Sequence, residues 1–188
     1  AYAFVDTFVV YNNTKAVIKK IDLDDLDWFE LVAQAYLHEA CKIFKHVHVP
    51  KLLFLQRAMA REGLYTQVCM EMASGVQLMR LSGISILVAL AHAMKALYRL
   101  QHAVHFMHRD LSGHNIYFNP FSHDITFIDF GMACVNPNLK PVAWQSKDNG
   151  FYKILPGTNA AKCTNRSLDA SMLMSHLSYK HPWLHWEH

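Results

Sequence analysis

The sequence predicts an α+β domain, and three observations predict it. Strand-forming runs crowd the first third of the chain, each bounded by turn residues. A single acid-rich helix start interrupts them. Beyond them, Ile84 to about Val104 carries apolar residues near helical period. At 188 residues, 52% of them hydrophobic, the chain can bury a real core as one domain with room for two lobes.

Phe4 to Val10 and Lys15 to Ile21 are the first two β-rich runs, joined by the turn sequence Tyr11-Asn12-Asn13-Thr14. Period-2 alternation puts Val17, Lys19 and Ile21 on one face of the second run. Lys19 then stands among apolar neighbours, which is costly for an ammonium unless an anion meets it. The plainer alternative is a strand-end lysine reaching solvent, as most lysines do.

Next, Asp22-Leu23-Asp24-Asp25-Leu26-Asp27 loads acid onto a helix start, with Asp27 and Glu30 at capping-box spacing. The helix is expected to run to about Val47 and stop before Pro50, with Glu30 and Glu39 as its two glutamates. Strands follow at Lys51 to Ala58 and Leu64 to Met70, turned by Arg61-Glu62-Gly63. Glu71 to Leu78 then reads as a linker into the long helix, which shows Leu87, Leu90, Ala91, Met94, Leu97 and Tyr98 at helical spacing.

After the long helix comes His108-Arg109-Asp110-Leu111-Ser112-Gly113-His114-Asn115, followed by the apolar run Ile116-Tyr117-Phe118. A second run, Phe127-Ile128, leads into Asp129-Phe130-Gly131. Asn119-Pro120 and Ser122-His123-Asp124 supply turn chemistry between the runs, so they read as a hairpin. Polar groups at its two ends can converge on one spot.

Bulk properties exclude several classes. The formal charge of +3 comes without a dense basic run, so no nucleic-acid partner is expected. The segment Ile84 to Leu97 holds His92 and Lys95 and is too short to span a bilayer, so no membrane association is expected. Residues 1–6 lack a basic n-region and a cleavable signal pattern. Cys41, Cys69, Cys134 and Cys163 show no Cys-x-x-Cys spacing, so no disulfide framework is expected and a reducing, intracellular setting follows. The 13 histidines form no four-ligand pattern, so surface or core roles outweigh a structural zinc site.

The ordered set His108-Arg109-Asp110, Asn115 and Asp129-Phe130-Gly131 resembles the catalytic and metal-binding loops of eukaryotic-type protein kinases, and the resemblance covers nearly the whole chain. It implies a two-lobed protein kinase-like fold, with a β-rich N-lobe over residues 1–72 and a reduced, mainly helical C-lobe over 73–188. An activation-segment-like stretch would cover 129–167. The implied activity is transfer of the ATP γ-phosphate to Ser/Thr hydroxyls of a protein substrate, with ATP and Mg2+ as cofactors. Asp110 would orient the hydroxyl and accept its proton, and Asn115 and Asp129 would hold the metal. Lys19 would contact the α- and β-phosphates, and Glu39 would fix Lys19, matched by its distance ahead of the helix end. Arg109 would pair with a phosphate on the activation segment. Nucleotide contacts would come from Val5, Val17, Lys19, Met70 as gatekeeper, the backbone of Glu71 and Ala73, and Tyr117. Asp169, in the helix starting near Ser167, would tie back to the catalytic-loop backbone.

The chain also departs from the family pattern. Ala1-Tyr2-Ala3-Phe4-Val5 resembles only the tail of a glycine-rich loop, with Ala3 where a glycine is usual. Ser112 stands where Ser/Thr kinases usually carry a lysine, and no Ala-Pro-Glu follows the segment holding Ser146, Thr158 and Thr164. The later C-lobe helices are not recognised, so Trp183 and Trp186 are expected to face a protein partner or oligomer. The compactness is faintly similar to kinases of large DNA viruses, which would place the protein in a host cytoplasm. Two alternatives stay open: a pseudokinase-like nucleotide-binding scaffold, and a small-molecule phosphotransferase of the same fold. Arg109 speaks against the second, and the retained Asp110 against the first.

Overall fold

A computed structural model describes residues 4–11, 13–22, 28–60, 63–135 and 166–184. Among these residues the chain is a mixed α+β structure with two four-stranded sheets and three α-helices. The strands are β1 (Phe4–Tyr11), β2 (Thr14–Asp22), β3 (Val47–His48), β4 (Leu52–Ala60), β5 (Gly63–Glu71), β6 (Val76–Gln77), β7 (Ile116–Asn119) and β8 (Asp124–Phe127). The helices are α1 (Trp28–Cys41), α2 (Ile84–Val104) and α3 (Ser167–Lys180). No helix among the described residues is long and apolar enough to cross a membrane.

The first sheet has the order β1-β2-β5-β4, antiparallel throughout. Its register stacks Val5, Lys19 and Val68 side by side, and Val17 beside Met70. The expected runs form it nearly as drawn. The second sheet has the order β3-β8-β7-β6 and contains the expected hairpin, with Ile116 opposite Phe127 and Asn119 opposite Asp124. Its turn is fixed by Asn119, whose Oδ1 accepts from the amides of Phe121 (3.0 Å) and Ser122 (3.4 Å). That is the local side-chain-to-backbone bonding for which asparagine is favoured in turns.

The structure corrects the first helix. It ends at Cys41, not near Val47. Phe44 donates to the Cys41 carbonyl at 2.9 Å as the helix unwinds, and His46 turns the chain with φ +66°. Val47-His48 then pairs in parallel with Ile125-Thr126, a partner distant in sequence. The β-branched Val47 and Val49 ahead of Pro50 favour that extended path.

Helix α2 forms as expected, and its buried face overlaps the expected stripe in part: Leu90 and Leu97 are buried and Met94 packs against the core. Ile86, Ala89, Leu90, Ala93, Ala96, Leu97, Leu100 and Val104 point inward, whereas Leu87 and Tyr98 are exposed. The helix is apolar on both faces, so period alone does not choose between them. The main core joins Leu37 of α1, Leu100 of α2 and Leu173 and Leu177 of α3 to Phe106, Leu111, Ile116, Phe127 and Phe130. The apolar residues of the two motifs are therefore core residues. Each large side chain so enclosed contributes about 1.5–3 kcal/mol, which holds the polar motif residues on a rigid base.

Cys41 and Cys69 are free and buried, and burial pushes the Cys41 thiol up to about 12. Cys134 is disulfide-bonded, which departs from the expectation of reduced cysteines. Local Cys-x-x-Cys spacing carries no signal for a bond between cysteines distant in the chain. Cys163 lies outside the described residues, as do Asp27, Ala3, Ser146, Thr158, Thr164 and Trp186.

Candidate functional site

Lys19 sits on β2, the strand flanked by β1 and β5, and alternation aims it toward α1. Its neighbour Lys20 takes the opposite direction, with Nζ 5.6 Å from the Tyr65 ring centroid. Lys19 Nζ meets Glu30 Oε1 at 2.8 Å. The side chains are only 18% and 12% exposed, so this pair is mostly withdrawn from water. The expected partner, Glu39, lies elsewhere. Its carboxylate is exposed and accepts from Lys42 at 2.7 and 2.6 Å, and that hydrogen bond holds its pKa below the ordinary carboxylate value.

The reason is the position of the helix end. Helix α1 stops at Cys41, short of Val47, and leaves Glu39 in its last, solvent-facing turn. Glu30 occupies the first turn, on the face that also buries Ala33, Gln34, Leu37 and Cys41. Those positions recur at helical period. The apolar face of α1 thus marks Glu30 as the inward glutamate.

The two motifs are bound together by backbone. His108 Nε2 and the Ile128 carbonyl lie 2.9 Å apart, so the ring nitrogen donates there. The rings of Phe106 and His108 pack against Phe130 at centroid distances of 6.2 and 5.6 Å. Asp169, fully buried at the start of α3, accepts from the amides of His108 (2.8 Å) and Arg109 (2.7 Å). The expected tie from α3 to this loop is present. Arg109 and Asp129 both take φ +64°, a left-handed conformation that is costly away from glycine. Such strain survives only where surrounding contacts dictate it, and it clusters at working sites.

Asp110 is exposed, at the loop tip. Asn115 Nδ2 donates to the Asp110 carbonyl at 2.9 Å and lies 3.5 Å from Asp110 Oδ2. With its amide hydrogens engaged there, the carboxamide keeps Oδ1 as an acceptor. The Ile128 amide donates to the Asn115 carbonyl at 3.0 Å, so Asn115 and Asp129 stand at adjoining ends of the β7–β8 hairpin. A Cβ added to Gly131 would lie 3.7 Å from Glu30 Oε2 and 3.8 Å from Asp129 Oδ1. The Lys19–Glu30 pair and Asp129 therefore meet around one glycine. Among the described residues no group of three His, Cys, Asp or Glu side chains converges to hold a metal. A carboxylate and a carboxamide suffice only for a cation that keeps water or phosphate ligands, as magnesium does.

The remaining expected contacts are spread over both sheets. Val17 and Met70 are half-buried and adjacent in register, and Met70 Sδ lies 3.6 Å from Gln34 Nε2 of α1. The Glu71 amide donates to the Lys51 carbonyl and that of Met72 to the Lys15 carbonyl, both at 2.9 Å, so the linker leaves the sheet from a fixed point. Tyr117 is half-buried on β7 beside Gln77 and Thr126. For Val5 the structure gives its place on β1 opposite Lys19. A cleft of about 390 Å³ lies along Glu71 to Ser74, α1 and β8, and its walls include none of Lys19, Asp110, Asn115 or Asp129. It is separate from the motif cluster.

Burial pushes the pKa of His108 and His92 below the ordinary value of 6.5. A histidine with lower proton affinity when folded binds fewer protons folded than unfolded, so acid favours unfolding. Its contribution is complete above pH 6.5 and is lost as pH falls below that value. Denaturant titrations at descending pH should show falling stability through this range, and a flat profile would contradict the assignment.

The chain matches no protein-family model and no curated protein.

Proposed function

We propose that this chain is a two-lobed protein kinase-like phosphotransferase, divided near residue 72, that passes the γ-phosphate of ATP to Ser/Thr hydroxyls of a protein. The observation carrying the reading is the Lys19–Glu30 ion pair set beside Asp129 at Gly131. Phosphoryl transfer asks a protein mainly for positioning and charge neutralisation, and this cluster offers both. ATP with magnesium would supply the transferable group and the cation, with Asn115 and Asp129 as protein ligands. Lys19 would neutralise phosphate charge, and Glu30, rather than Glu39, holds its ammonium in place. Asp110, exposed beside Asn115, would orient the acceptor hydroxyl and take its proton. Arg109 would pair with a phosphate on the segment that follows Gly131.

Ser112 offers a hydroxyl where a lysine would bring charge, which supports slow turnover. The strongly exposed Tyr179 and Trp183 support a protein partner or second copy on the α3 side.

A thermal-shift titration with Mg-ATP, followed by a radiolabel transfer assay, tests the reading. The expected result is a raised melting temperature and labelled substrate, with the shift reduced in Asp129→Ala. Binding without transfer would favour a nucleotide-binding scaffold instead. Absence of both binding and transfer would overturn the reading.

A further inference from the structure

Helix α3 grips the Asp110–Asn115 loop at more than its Asp169 end. Two helical turns beyond Asp169, His176 Nδ1 accepts from the Gly113 amide at 3.1 Å. The Gly113 carbonyl accepts from the Met79 amide at 3.1 Å, and Lys180, one turn further along α3, donates to the Met79 carbonyl. Gly113 has no room for a side chain. A Cβ there would lie 2.7 Å from Met79 Cγ and 3.1 Å from Leu177 Cδ2. Gly113, midway between Asp110 and Asn115, is thus packed against Met79 and Leu177 and hydrogen-bonded at both its N–H and its C=O.

We propose that His176 is a positioning residue for this loop, whose unprotonated Nδ1 fixes the Gly113 peptide and thereby the spacing of Asp110 and Asn115. Its functional consequence rests on the phosphotransfer reading. The hold requires a neutral ring with its proton on Nε2, because an imidazolium would oppose one N–H donor with another. Acid therefore releases the loop. Among the described residues, the titratable groups acting on His176 come from the loop itself. The His114 ring stands 5.3 Å away, edge to face, and Asp110 is the neighbouring carboxylate. Burial first, then His114, push the pKa of His176 below 6.5, while Asp110 pulls it back up. The ring is accordingly neutral and able to accept at neutral pH.

The test uses the whole chain and two variants. His176→Asn keeps an acceptor, since Oδ1 can stand near the place of Nδ1, but does not titrate. His176→Ala removes the acceptor. In the parent, the Gly113 amide resonance should move with the titration of the His176 ring, and its exchange protection should fall in acid. In His176→Asn the amide should stay protected and stop responding to pH. In His176→Ala it should be unprotected throughout, with the amides of α2 still protected, which separates loss of the hold from unfolding. In the transfer assay, His176→Ala should lower kcat about 10- to 100-fold at little changed KM for ATP, and His176→Asn should recover much of that loss and flatten the acid limb. A Gly113 amide indifferent to both variants, or no recovery in His176→Asn, would overturn the proposal. A parent that transfers no phosphate overturns the transferase reading, while the amide measurements still decide the role of His176.

Discussion

Asp169→Ala should destabilise the fold by roughly 3–5 kcal/mol, because it leaves two enclosed amides without a charged acceptor. Asp169 is fully buried and accepts from His108 and Arg109 at 2.8 and 2.7 Å. The Arg109 backbone already carries a positive φ. The loss should appear in the denaturation midpoint, together with rapid exchange of the two amides. Asp169→Asn is the control. It keeps one acceptor oxygen and turns an NH2 group toward the other amide, so it should be destabilised without full loss of protection. A change under about 1 kcal/mol in the alanine variant would mean that the loop does not depend on α3.

The second large effect distinguishes the two glutamates of α1. Glu30→Gln should lower phosphate transfer by about 10²-fold, since the neutral amide no longer anchors the Lys19 ammonium. Glu39→Gln should leave transfer near the parent rate, because its carboxylate pairs with Lys42 at the exposed end of the helix, away from Lys19. Stability should separate them too. Breaking a mostly buried pair leaves a charge with poor solvation, whereas an exposed i,i+3 pair contributes little. Equal effects of both substitutions, or a larger effect at Glu39, would contradict the assignment of Glu30.

The contrast between those residues shows what the sequence revealed. Strands β1, β2, β4 and β5 and the β7–β8 hairpin were readable because their signals are local: alternation, turn residues and an asparagine that caps its own turn. Asp110, Asn115 and Asp129 could be placed for the same reason, since the hairpin brings its ends together. What escaped depends on distant partners. Helix α1 stops early because Val47-His48 finds Ile125-Thr126, and no local pattern announces that pairing. Distance from an expected end near Val47 therefore points to Glu39 instead of Glu30. On α2, apolar residues on both faces hid which one is buried. His176 gave no signal of its own, because its role appears only when α3 lies against the loop.

The central claim is that this cluster moves a phosphoryl group, and mass spectrometry tests it most directly. The parent and Asp110→Ala would each be incubated with Mg-ATP and a generic protein substrate, and Ser and Thr residues would be searched for added phosphate. The account predicts phosphorylated hydroxyls with the parent and a loss of about 10²–10⁴-fold in rate with Asp110→Ala. Equal phosphorylation by both proteins, or none by the parent while it binds Mg-ATP, would contradict it.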